Sequence, residues 1–197
     1  MPDRPGALGQ VASRIGAVRA DVLAIEILEQ GGGRAIDELT ISVPDSDLVP
    51  LLAAEIDAVD GVSVESIREV EPDRADPSLS ALALGAAIAE SPPDERLTML
   101  IDGARRCSET EWVALLRDDG LVAQIGTPPD VPWLLAFIAG SGHLDGLGES
   151  APSDLLWAHL PTAGYVIAAG RAGNPIHERE RTRFALLARL ADALIRA

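Results

Sequence analysis

The sequence predicts an α+β protein in two parts, and three observations carry that prediction. Segments with apolar residues at helical spacing alternate with shorter ones in which every second residue is apolar. The strand-like segments come in pairs joined by glycine-bearing turns, which predicts antiparallel rather than parallel sheets. One charged stretch with two prolines, "EVEPDRADPSLS" at 69–80, separates the periodic segments into two groups. The break places a first domain at 1–72, a linker at 73–78 and a second domain at 79–197.

The chain opens on "MPDRPGALGQVASRIG", a Pro-Gly turn running straight into a helix over about residues 6–19. Leu8, Val11, Ala12, Ile15 and Val18 give its stripe. "DVLAIEILE" follows as a strand with Leu23, Ile25 and Ile27 on one face. "QGGGR" supplies a turn, and "AIDELTISV" alternates through Leu39, Ile41 and Val43 to complete a hairpin. "DSDLVPLLAAEIDAVDG" predicts a second helix with Leu48, Leu51, Leu52, Ile56 and Val59 inward. Ser46 or Asp45 can cap it, and Pro50 falls in its first turn. "VSVESIREV" reads as a closing strand, with a change of parity between Val64 and Ile67 that fits a bulge. The order is α-β-β-α-β. One more strand in front would make it β-α-β-β-α-β, the ferredoxin-like split βαβ.

The second group begins with two helices, "SLSALALGAAIA" and "DERLTMLIDGARRC". "TEWVALLRDDGLVAQIG" predicts a hairpin with Asp119-Gly120 at its tip, and "DVPWLLAFIAG" a helix. "SGHLDGLGESAPS" is a long loop. "DLLWAHL" and "GYVIAAGR" are two more strands. A terminal helix runs from about Ile176 to Arg196, with Phe184, Leu187, Ala188, Ala191, Leu194 and Ile195 on one stripe.

Composition narrows the function classes. The 197 residues carry a formal net charge of −15, and all 16 basic residues are arginine. Residues 1–72 hold five arginines against fourteen acids, and residues 73–197 hold eleven against seventeen. Both parts repel a phosphate backbone, so nucleic acid is not an expected partner. No apolar run reaches the roughly 18–20 residues of a membrane helix. "MPDRPG" has neither the basic leader nor the apolar stretch of a signal peptide, and the inference is a soluble cytoplasmic protein. The single cysteine, Cys107, reads as a small buried apolar side chain. His143, His159 and His177 lack metal-ligand spacing. No nucleophile elbow, P-loop or acid–base–nucleophile set can be assembled, so the chain reads as non-enzymatic, with no cofactor and no metal. Asp118-Asp119 reads as a turn, and the alternating "HERERTRF" as a solvated helix face. Trp112, Trp133 and Trp157 are assigned to the core, Trp157 also as a wall residue of a pocket.

Residues 3–71 resemble an ACT domain, the small amino-acid-sensing module of regulated metabolic enzymes. The segments that carry the resemblance are "DRPGALGQVASRIG", "ADVLAIEILEQGGGRAIDELTISV" and "DGVSVESIREVE". Residues 79–197 resemble, more loosely, a GAF domain, through the ending "DLLWAHLPTAGYVIAAGRAGNPIHERERTRFALLARLADALI". The fold this implies is a ferredoxin-like ACT module lacking its first strand, followed by a GAF-like antiparallel sheet flanked by helices. In the ACT sheet order, 4-1-3-2, the absent strand is central. A start upstream of Met1, direct pairing of 35–43 with 62–70, or a neighbouring subunit would each account for it.

The ACT resemblance implies that the loop entering the first helix lies at a subunit interface and contacts the carboxylate and ammonium groups of a bound amino acid. That loop maps to Asp3, Arg4, Pro5, Gly6, Ala7 and Leu8. The chemistry fits independently, because the first amides of a helix have no internal partner and carry partial positive charge. A competing reading makes Asp3 and the turn a simple cap. The GAF resemblance implies a second small-molecule pocket with His143, Asp145 and Trp157. The expected function is thus regulatory: a homodimeric sensor of an amino acid or other small carboxylate, acting allosterically. The alternative is a structural dimerisation module without a ligand, in which Leu79, Leu82, Ala83 and Ala86 beside Leu194 and Ile195 form the apolar seam.

Overall fold

Val11 and Ile15, one helical turn apart, and Ala7 before them are buried along a single stripe of α1 (Ala7–Ala17) in the computed structural model, which describes residues 1–72, 74–141 and 152–195. Arg19, at φ 61°, turns the chain out of the helix. β1 (Asp21–Gly31) and β2 (Arg34–Ser42) form an antiparallel hairpin. Gly32 and Gly33 join them, and both take positive φ, as a two-residue hairpin turn requires. A single 3₁₀ turn, Ser46–Leu48, leads into α2 (Val49–Asp57). Asp45 is the residue that caps it, accepting from the Asp47 amide at 3.0 Å. Val11, Ile15, Val18, Ala20, Leu52 and Val59 make the core of this unit, Met1–Val70, with Val22, Leu39 and Ile41 of the sheet packed against it.

Three expectations fail here. Residues 62–70 form no strand. They therefore do not pair directly with 35–43. Side-chain contacts hold this stretch instead: the Val64 amide donates to Asp57 Oδ1 at 2.7 Å, and Arg68 to Glu38 at 3.2 Å. Leu23, Ile25 and Ile27 do not supply a buried face; Leu23 is 61 % exposed. Register shifts between Val22 and Ala24 and between Ile27 and Glu29 break the alternation, and Val22 and Leu28 are better covered. Leu51, expected inward on α2, is also exposed.

The second unit, Glu71–Ala197, begins with α3 (Pro77–Glu90), whose N-cap Asp76 accepts from the amides of Ser78 and Leu79. Next come α4 (Arg96–Cys107), β3 (Trp112–Arg117), β4 (Gly120–Ile125) and α5 (Val131–Gly140). β5 (Leu155–Leu160), β6 (Tyr165–Gly170) and α6 (Glu178–Ile195) complete it. The sheet order is β4-β3-β6-β5, antiparallel throughout. Val113, Leu115, Leu156 and Ile167 face a core that takes in Ile88, Leu100, Phe184 and Leu187 of α3, α4 and α6. Trp112, Ala114, Leu116 and Ala168 face the other way, against Leu134 and Ile138 of α5. Covered on both faces, β3 can be apolar at five consecutive positions, which is what "WVALL" encodes.

Loops of this unit are tied down by buried charge. Arg171 donates to the carbonyls of Ser108, Asn174 and Pro175 and to Glu180 at 2.8 Å. Glu180 also accepts from the His177 amide, closing the entry to α6. Arg181 reaches the carbonyls of Leu155, Pro152 and Ile176. "HERERTRF" is therefore no solvated face: its second glutamate and second arginine are inner structural pairs. Asp192 accepts from the amides of Thr162 at 3.0 Å and Ala163 at 2.8 Å, fixing the β5–β6 turn.

Candidate functional site at the entry to the first helix

Gly6 is the N-cap of α1, at φ 86° and ψ −9°, with no side chain capping the helix. Asp3 does not fill that role, so the simple-cap reading loses its residue. The turn closes by a backbone bond from the Ala7 amide to the Arg4 carbonyl at 3.2 Å, which takes Ala7 out of the set of free donors and leaves it buried. The amides of Gly6, Leu8 and Gly9 find no acceptor among the described residues. Gly6 is exposed, and a Cβ built there meets nothing within 4 Å, so the backbone is open to close approach. Arg4 lies across the first turn, its guanidinium 3.3 Å from Gln10 Oε1. Asp3, Arg4 and Pro5 are exposed, and the Asp3 amide is bound to the Gly33 carbonyl at 2.9 Å. The loop thus offers free amides, one cation and one anion, which suits the two ends of a zwitterion.

A further carboxylate near this loop lies outside the expected site residues. Asp37 stands on β2 at the same parity as Ala35, Leu39 and Ile41, the inward-facing positions. Its Oδ2 is cut off from solvent and has no hydrogen-bond partner. Burial, chiefly, pushes its carboxyl above the usual aspartate range; the Met1 ammonium opposes this and Asp3 adds to it. The signal was present in "AIDELTISV", where an acid interrupts an apolar alternation.

The second expected pocket is only partly visible. His143 and Asp145 lie outside the described residues. Trp157 is half-buried and meets Phe137 edge-on at 5.2 Å, and Phe137 stacks on Trp133 at 5.6 Å. Trp133 is 52 % exposed, which corrects its assignment to the core. It lies on the outer side of α5, away from Leu134 and Ile138, which face the sheet. A small cavity, with room for about one water, lies among Ala81, Cys107, Ser108, Glu180, Arg183 and Phe184. Burial raises the Cys107 thiol above its ordinary value, with Arg106 and Arg183 opposing, so the side chain stays a neutral thiol. Among the described residues no group of three His, Cys, Asp or Glu side chains could hold a metal, and no helix is long and apolar enough to cross a membrane.

The seam expected of a structural dimer is rearranged. Leu79 and Leu82 are 64 % and 65 % exposed, but Leu194 and Ile195 pack against the core. Their exposed companions on α6 are Leu186 and Leu190, and Leu190 sits over Gly85 of α3.

Comparison with protein-family models, with curated proteins and with solved structures finds no match to this chain.

Proposed function

We propose that the chain is a non-enzymatic regulatory protein, an ACT-like module joined to a GAF-like one, which binds an amino acid at the entry to α1 and works as a cytoplasmic homodimer. The observation that carries this reading is the set of unclaimed amides at Gly6, Leu8 and Gly9 in an exposed, glycine-opened turn. The ligand carboxylate takes those amides and Arg4, and its ammonium takes Asp3. A helix terminus contributes about 0.3–1 kcal/mol to an anion, rarely about 2. Useful affinity therefore needs Arg4, Asp3 and a second subunit as well. Ligand shared across two subunits would favour one dimer arrangement to the extent that it binds the two arrangements differently.

A thermal-shift screen of the twenty amino acids at millimolar concentration tests this. One or a few should raise the melting temperature, and Arg4→Ala, an exposed change, should reduce that rise. If none stabilises a dimeric sample, the sensor reading is wrong. A second reading has its own observation: the exposed leucines 79, 82, 186 and 190 suit a dimerisation or adaptor surface without any ligand.

A further inference from the structure

We propose that the α5 side of the second unit's sheet is a self-association face, on which α5 of a second copy lies antiparallel beside α5. The two faces of this sheet are covered unequally. On one side α3, α4 and α6 close over Val113, Leu115, Leu156 and Ile167. On the other, α5 covers Ala114, Leu116 and Ala168 of the two inner strands. A helix is about 10 Å wide and neighbouring strands lie about 4.8 Å apart, so one helix covers about two strands of the four. The edge strands show the shortfall. Leu121 of β4, paired with the buried Leu116, is 40 % exposed, and His159 of β5, paired with the half-buried Val166, is exposed as well.

The composition of α5 fits a helix with neighbours on several sides. "VPWLLAFIAG" has no polar side chain, yet only Leu134 and Ile138 are buried, while Pro132, Trp133, Ala136 and Ala139 are exposed. A helix that is apolar all round normally has protein all round. Trp133, Phe137 and Trp157 make a continuous run of rings from the flank of α5 to the edge strand β5, with Trp133 as its open end. They are three of the six aromatic side chains in the whole sequence. Aromatic side chains, tryptophan above all, are enriched where interfaces are anchored.

Charge selects the occupant. From Gly120 to Gly140 the sequence has one charged residue, Asp130, although 24 % of all its residues are charged. Asp130 accepts the Trp133 amide at 3.1 Å and so caps α5. A basic partner finds no other acid to recognise along this stretch, and a net charge of −15 repels an acidic one. Two copies of so acidic a chain approach with least repulsion where both are uncharged. An isologous contact through α5 sets the neutral face of one against the same face of the other. A wholly apolar surface is also the composition of permanent homodimer contacts, since transient interfaces are about as polar as the rest of a protein's surface. Ala136 and Ala139, small and exposed, leave room for the Trp133 ring of the second copy. The inference names an interface for the homodimer proposed above and rests on that reading only for the number of subunits.

Sedimentation of the full chain at micromolar concentration tests this, with Trp133→Glu and Ala136→Arg on α5 and Leu82→Glu on the opposite side of the sheet, all at exposed positions. The parent chain should be a dimer. Each α5 variant should weaken association at least tenfold with its circular dichroism unchanged, and Leu82→Glu should leave the dimer intact. A monomeric parent chain, or a dimer that survives both α5 variants, would overturn the proposal. So would a dimer that only Leu82→Glu dissociates, or a monomer that attaches through Trp133 to phosphatidylcholine vesicles, which would give the face to a bilayer. A dimer held by α5 that no amino acid stabilises keeps this interface and removes only the sensor reading of the first unit.

Discussion

The two units use the same kind of strand sequence and cover it very differently. In the second unit β3 lies between β4 and β6, with helices over both faces, and Val113 to Leu116 have no exposure at all. In the first unit β1 pairs with β2 in a two-stranded sheet with two register shifts, and Leu23, Ile25 and Ile27 stay exposed. Period-two alternation is present in both. What separates them is the number of neighbours, because a strand gains stability from the partners on its edges and the layer on its face. A two-stranded ribbon under one helical layer is near the lower limit of what a sheet can be.

Leu115→Ala and Leu23→Ala should break that comparison most sharply. Leu115 is fully buried between sheet and helices, and its truncation should destabilise the second unit by about 2–5 kcal/mol. Leu23→Ala, on the open face, should stay within about 0.5 kcal/mol. Amide exchange read separately in β3 and β1 checks both. A large loss at Leu23 would mean that its face is covered in solution.

A smaller effect is expected at the β5–β6 turn. Asp192→Ala removes the acceptor for the Thr162 and Ala163 amides and should cost about 1–3 kcal/mol by leaving partly buried donors unmet. Chemical denaturation of the variant checks it. Asn at 192 should recover part of the loss, since its carbonyl oxygen can accept one of the two amides. The β1–β2 turn is made by Gly32 and Gly33, both at positive φ.

This contrast also explains what the sequence could show. The α+β class and the helices were legible because Val11, Ile15, Leu52, Phe184 and Leu187 repeat at helical spacing and one layer of packing suffices to bury them. The hairpin tip at Gly32-Gly33 was legible because glycine marks backbone that few other residues adopt. The second tip falls at Asp118-Asp119, one residue before the expected Asp119-Gly120, with Gly120 at φ 138° already paired to Arg117. The stretch 62–70 misled because alternation states that a segment can pair, not that a partner edge exists. "HERERTRF" misled for a related reason. Charges alternating along a helix look solvated until Arg171, brought from the end of β6, buries Glu180. At the candidate site the turn and the free amides could be read from "RPGAL". The closure of Ala7 onto Arg4 could not, since it depends on the φ of Gly6 and on the Met1–Asp3 ladder.

Asp37 gives the smallest expected effect and the one that most sharpens the comparison, because it sits on the two-stranded ribbon itself. Its carboxyl sits above the ordinary aspartate value of 3.8, mainly through burial, with the Met1 ammonium lowering it and Asp3 raising it. A raised folded value means that the folded state holds the proton more tightly than the unfolded chain. The group therefore disfavours the fold once it is ionised. Stability of the first unit should fall as pH rises from below 3.8 through the raised value, and level off when Asp37 is charged in both states. Asp37→Asn removes that dependence and should stabilise the first unit at neutral pH, so the wild-type minus variant difference should grow across this window and stay flat above it. Other carboxylates titrate nearby, but the subtraction cancels all that do not touch Asp37. A wild-type minus variant difference that stays constant across the window would show that burial at Asp37 does not favour its protonated form in the fold.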